Sequence, residues 1–246
     1  MRRALSVVWF SIRVMYDDLL VLTVIGGLWL VVSLLVPSGV FWLTRALPAP
    51  MLTIPLNLGS FALIPPCTSA VFEVAVKVAR EERIEFGHFW QGLKAHWKTS
   101  YKIAGILGIS GGTIIFSLLF YFNNSQNTFF VVLGFLGLGF LVFWLCIQTY
   151  LWPLAIRGEK RIVLIMKNTS LLTLAFPVFT LVIAITLILV TALSVALPLL
   201  LLVWMPFVAI LSSCALESSL ERADILREVW REREVEEAPP RNKRDA

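Results

Sequence analysis

The chain has 246 residues, 58% of them hydrophobic and 15% charged, with a formal net charge of +5. A water-soluble domain is about 45–50% apolar and about 25% charged, so a soluble enzyme, a secreted disulfide scaffold and a disordered tail protein are all excluded. Two uncharged runs, 54 residues between Lys102 and Arg157 and 49 between Lys167 and Glu217, each have room for two membrane passes of about 20 residues.

In chain order, residues 2–16 read as an amphipathic helix at the membrane interface. Their apolar stretch, Ala4 to Ile12, ends at Arg13 with no A-x-A site after it, so a cleavable signal peptide is not expected. Asp17-Asp18 precede the first pass, where two acids complement a helix N-terminus; a polar contact on the same side is the alternative. Passes are expected at about 19–43, 51–78, 103–122, 129–156, 171–192 and 197–216. Pro65-Pro66 predict a kink or break in the second. The turn between the fifth and sixth passes carries Pro198 but no charge. Length still demands it, since one straight 45-residue helix would be about 68 Å long. Residues 217–237 continue the sixth pass as a solvated helix with an apolar stripe of Leu216, Leu220, Ala223, Leu226 and Trp230. Pro239-Pro240 end it, leaving 238–246 as a disordered tail.

Six passes place 20 of the 21 Lys and Arg residues on one side and Arg45 alone on the other. By the positive-inside rule both termini face the cytoplasm. The expected fold is therefore all-α: a polytopic six-helix transmembrane bundle (1–216) with cytoplasmic interfacial helices. It is built of three helical hairpins, each with a lead-in segment, an outward pass, a short turn and an inward pass. Each inward pass carries one cysteine (Cys67, Cys146, Cys214) and is followed by charges. That recurrence reads either as internal triplication or as the periodicity of any string of hairpins.

Three cysteines are too few for a full disulfide framework. They read as small apolar residues that let helices approach, or as thiols converging on a soft metal. His88 and His96, eight apart, have no metal-binding spacing and read as interfacial. No P-loop, GxSxG, HExxH, kinase set or zinc cluster is present, so neither an enzyme nor a cofactor is expected.

A candidate intramembrane polar site comprises Asn57, Pro65, Pro66, Thr68, Glu73 and Gln148. Broken helices free backbone groups that bind solutes, and intramembrane carboxylates are functional candidates. Glu73 also stands four residues before Lys77, the order that favours a helical ion pair. Gly108 and Gly112 have GxxxG spacing, suited to a contact within the chain or between copies.

The richest segment is 86–102, read as an amphipathic cytoplasmic helix. Phe86, Phe89, Trp90, Leu93, Trp97 and Tyr101 recur at helical spacing beside Lys94, Lys98 and Lys102. This pattern suits anionic headgroups of the lipid bilayer or a protein partner; it is not a nucleic-acid footprint. Phe89, Trp90, Leu93, Lys94, Trp97 and Lys98 are the candidate contact residues.

The stretch from Leu63 to Gly108 resembles the YesL-like family of bacterial membrane proteins. The likeness rests on Pro65-Pro66-Cys67-Thr68-Ser69-Ala70, the charged loop after it, and the aromatic-basic run Phe89 to Lys98. Where that family carries Asn before a Leu-Trp step in its first pass, this chain has Gly26-Gly27-Leu28-Trp29. The resemblance implies a bacterial inner-membrane protein with an accessory role in carbohydrate uptake. The expected function is thus a non-enzymatic accessory or scaffold component whose partner is a transporter or a cytoplasmic protein. The alternative is a small-solute transporter or channel with its site near the broken second pass.

Overall fold

The computed structural model describes residues 2–46, 50–124, 126–157 and 161–237. The predicted tail over 238–246 lies outside them, as do the side chains of Leu226 and Trp230 on the predicted stripe. The described chain is all-α, without a strand, and six helices are long and apolar enough to cross a membrane. It is an integral membrane protein.

Helix α1 (Arg2–Asp17) leads into α2 (Leu19–Leu30). Asp18 stands at the junction, where its backbone carbonyl accepts the Leu22 amide and its side chain caps nothing. A π-helical turn at Val31–Leu35 follows, then α3 (Val36–Ala46). Pro37 explains the turn, because a proline cannot donate to the carbonyl four residues back and its ring crowds that carbonyl. The second pass is α4 (Pro50–Phe61) and α5 (Ile64–Ala79). Their break at residues 62–63 places Pro65 and Pro66 in the first turn of α5, where a missing N–H costs nothing.

Two boundaries differ from those read in the sequence. The predicted amphipathic helix over 86–102 and the third pass form one helix, α6 (Phe86–Asn123). No proline or turn sequence separates them, and the helix is about 57 Å long at 1.5 Å per residue. The fourth pass is α7 (Thr128–Ile156). The fifth does not begin near Leu171, which lies inside α8 (Ile162–Ala175); α9 (Pro177–Ala196) starts at Pro177. Pro177 has no N–H to continue the α8 ladder but suits the first position of a new helix. After Pro198–Leu200, α10 (Leu201–Glu237) carries the sixth pass on through 217–237, the continuation read in the sequence.

The core lies in the charged-side half of the three inward passes. Pro66 to Val78 of α5, Cys146 to Ile156 of α7 and Met205 to Leu216 of α10 hold most of the buried residues. α10 is central. One side meets α2 and α5 through Met205, Ala209 and Ile210 against Leu22, Ile25 and Val74. The other meets α1, α7 and α9 through Phe207, Leu211 and Ala215 against Ala4, Tyr150 and Ile183. α1 therefore packs on the sixth pass through Ala4 and Val7, while Leu5, Trp9 and Tyr16 stay exposed. The turn-side halves are thinner. α3 packs chiefly on α4, and the distal part of α6 on α7, leaving Trp42, Ile54, Phe116 and Phe135 exposed.

In lipid, apolar contact alone gives helices little reason to associate, so close packing and hydrogen bonds hold the passes together. Each hairpin has one tryptophan bonded to a hydroxyl on its partner pass. Trp29 Nε1 donates to Thr68 Oγ1 at 3.0 Å, Trp144 to Ser110 at 2.9 Å and Trp204 to Thr191 at 3.0 Å. A second set joins hairpins: the Tyr150 hydroxyl meets Thr180 Oγ1 at 2.8 Å and accepts from Ser219 Oγ at 3.3 Å.

Candidate functional site

A cavity of about 630 Å³ opens among five of the six passes. Trp29 reaches it from α2, Thr68 and Phe72 from α5, and Gln148, Thr149 and Trp152 from α7. α9 supplies Ala184 and Thr191, and α10 supplies Trp204, Met205 and Ser212. No charged residue lines it among the described residues. Two aromatic pairs shape the walls. Trp29 and Trp204 meet edge to face at 5.4 Å, and Phe72 stacks on Trp152 at 5.9 Å. The first pair is held by the tryptophan–hydroxyl bonds of hairpins one and three. Thr68 and Thr191 have no proton left to offer there, since each also donates to its own helix, at Ile64 O and Leu187 O. Thr149 is different: it is 2% exposed, and its Oγ1 has no hydrogen-bond partner among the described residues.

The candidate polar set is divided. Thr68 and Gln148 share the cavity. Asn57 lies at the other end of hairpin one, donating to Thr44 Oγ1 at 3.1 Å and Thr53 O at 2.7 Å. Pro65 and Pro66 start α5, and neither lines the cavity. Glu73 faces α6 instead. Its carboxylate stands 3.8 Å from Lys77 Nζ and 3.2 Å from His96 Nε2. Gly92 makes that approach feasible, because a Cβ there would come within 2.6 Å of Glu73 Cβ.

The same approach sorts the aromatic-basic segment. Phe89 is fully buried against α5, and Leu93 packs beside it. Those two candidate contact residues are consumed by the fold. Trp90, Lys94, Trp97 and Lys98 remain exposed, with Lys98 Nζ 5.4 Å from the Trp97 ring centre. His88 closes the N-terminus of α6, its Nδ1 accepting the Glu85 amide at 3.1 Å.

The charged ends of the three inward passes converge. Glu217 of α10 pairs with Arg157, just past α7, and with Arg80, just past α5, the latter at 3.3 Å. Burial pulls the Arg157 guanidinium below its usual range, and the Arg80 charge adds to this. The sequence shows charges after each inward pass, but not that these three meet. Nor does it show which serine or threonine each tryptophan finds, or which of the two indoles in hairpin one (Trp29, Trp42) and in hairpin two (Trp144, Trp152) makes the bond.

Cys67, Cys146 and Cys214 are free and buried, and among the described residues no three His, Cys, Asp or Glu side chains are grouped to hold a metal. No family model, curated protein or solved structure matches the chain.

Proposed function

We propose that this integral membrane protein is a non-enzymatic accessory or scaffold component of a bacterial inner membrane, with both termini in the cytoplasm. It engages a transporter or a cytoplasmic protein through the basic-aromatic face of α6. The observation that carries this reading is the exposure of Trp90, Lys94, Trp97 and Lys98 on a segment whose other face is locked to α5 by Phe89 and Gly92. A rigid helix presenting tryptophans beside lysines is preorganised for docking, because little side-chain or backbone freedom remains to be lost. The resemblance to the YesL-like family supports carbohydrate uptake as the process served.

The transporter reading draws on the cavity, which Thr68 and Gln148 share. It is the weaker of the two, since Asn57 and Glu73 point to other parts of the fold and, among the described residues, the cavity lining has no charge to couple to an ion gradient.

The test is affinity purification from native membranes, comparing wild type with a variant carrying Trp90→Ala, Lys94→Glu, Trp97→Ala and Lys98→Glu. The expected result is loss of a co-purifying protein with unchanged yield and helicity. An identical set of co-purifying proteins removes α6 as the docking surface. Flux of a neutral solute into liposomes containing the purified protein alone would favour the transporter instead.

A further inference from the structure

We infer that the central cavity is a binding site for a neutral, largely apolar molecule with a hydroxyl or carbonyl head group, taken up from the surrounding bilayer. Three observations converge on this chemistry. The first is unmet hydrogen bonding. Thr149 lines the cavity, and its Oγ1 is buried without a partner among the described residues; such a group costs free energy until it turns to meet a ligand or water. Gln148 and Ser212 line the same space. A hydroxyl, a carboxamide and a second hydroxyl together both donate and accept, which suits an alcohol or carbonyl group.

The second observation is the walls. Apart from those groups the lining is aromatic and aliphatic, with no charged side chain among the described residues. An ionised ligand would be left uncompensated there. A polyol would leave most of its hydroxyls against Trp29, Phe72 and Trp152. At about 630 Å³ the cavity falls in the range of small-molecule sites, roughly 300–1,000 Å³.

The third observation is the route. Leu145 of α7 and Ile188 of α9 line the cavity and are also exposed on the outer surface of two membrane-spanning helices. The cavity thus opens sideways between the fourth and fifth passes, onto the face that lipid covers. A molecule dissolved in the bilayer reaches it without crossing water. This site is independent of the docking face on α6, and either can fail alone.

The test uses full-length protein in lipid nanodiscs and tryptophan fluorescence, since Trp29, Trp152 and Trp204 line the site. The probe is 12-bromododecan-1-ol, a neutral alcohol whose bromine quenches indole emission; 1-bromododecane lacks the head group and 12-bromododecanoate is charged. The expected result is a saturable quenching component for the alcohol alone, above the linear background from partitioned probe. Thr149→Val, which keeps shape and removes the hydroxyl, weakens it about fivefold to tenfold. Ala192→Phe, which fills the cavity from its wall, abolishes it. Quenching that rises only linearly with mole fraction overturns the proposal. So does a saturable component that head-less bromododecane reproduces, or that survives Ala192→Phe unchanged in a variant of native helicity.

Discussion

Gly26 on the first pass lies directly against the carbonyl oxygen of Leu202 on the sixth, so closely that a methyl group at residue 26 would overlap it. The reason sits one turn further along α10. Pro206 has no N–H to offer the Leu202 carbonyl four residues back, and that oxygen faces outward to α2. Backbone atoms cannot move aside as a flexible side chain can. Gly26→Ala is therefore expected to destabilise the protein by about 1–3 kcal/mol, while Gly27→Ala, which meets only Leu202 Cδ2 at 3.5 Å, is close to neutral. Thermal unfolding of the two variants in detergent makes the comparison; equal effects would refute the close approach.

Glu217 is expected to matter more than either arginine it binds. Its side chain is 27% exposed and that of Arg157 17% exposed, whereas Arg80 is 46% exposed. Removing the shared carboxylate with Glu217→Gln leaves Arg157 largely buried without its partner, a loss of about 2 kcal/mol or more. Arg80→Gln breaks a solvated pair and costs less than about 0.5 kcal/mol. The double variant Arg157→Met with Glu217→Leu is expected to recover most of the single loss. A double variant as unstable as Glu217→Gln would count against the pairing.

Helix α5 ends in a Schellman motif, with the Glu81 amide on Val78 O and the Glu82 amide on Lys77 O. Glu81 takes the left-handed conformation at φ 58°, a position that glycine fills without strain. Glu81→Gly is expected to raise the apparent Tm, corresponding to about 1 kcal/mol. A fall in Tm would show that the Glu81 side chain contributes more than its backbone costs.

The GxxxG spacing gives a prediction of the opposite kind. Gly108 and Gly112 have open space where their Cβ atoms would stand, whereas Gly111, between them, faces Trp144 at 2.8 Å. Gly108→Leu and Gly112→Leu are expected to leave monomer stability within about 0.5 kcal/mol of wild type; Gly111→Leu is expected to disrupt the hairpin. Helicity and unfolding temperature of the three variants decide it.

Each tryptophan tie is open to the same measurement. Trp29→Phe, Trp144→Phe and Trp204→Phe keep an aromatic ring but remove the donor, and each is expected to cost about 1 kcal/mol. An effect confined to one variant would mean the other two bonds are weak in lipid.

The contrast between Gly26 and Gly108 shows what the sequence can and cannot reveal. Hydropathy and charge runs are local, so six passes and the broken helix at Pro65 were legible. Which side of a helix meets its neighbour is not local in an all-apolar pass, because lipid and protein demand the same residue types. Hence the glycine spacing that drew attention is unused inside the fold, and the glycine that matters is marked only by a proline 180 residues later. The continuity of α6 is not legible in the same way: a change from amphipathic to apolar composition marks a change of surroundings, not a break in the backbone, whereas the apolar stripe that runs on from Leu216 does carry the sixth pass into the C-terminal helix. The cavity was half legible. Thr68 and Gln148 are polar residues in apolar passes, but Thr149, as ordinary in sequence as any threonine, becomes distinctive only once its partners are known to be absent.

The hydrogen bonds from tryptophan close within single hairpins, over separations of 39, 34 and 13 residues, whereas the Arg80–Glu217 pair closes over 137. During synthesis each pair of passes can satisfy its own indole as soon as it enters the bilayer. The ion cluster forms only when the last pass has arrived. Glu217 is thus the closing joint of the bundle: the sixth pass brings the carboxylate that offsets the mutual repulsion of Arg80 and Arg157.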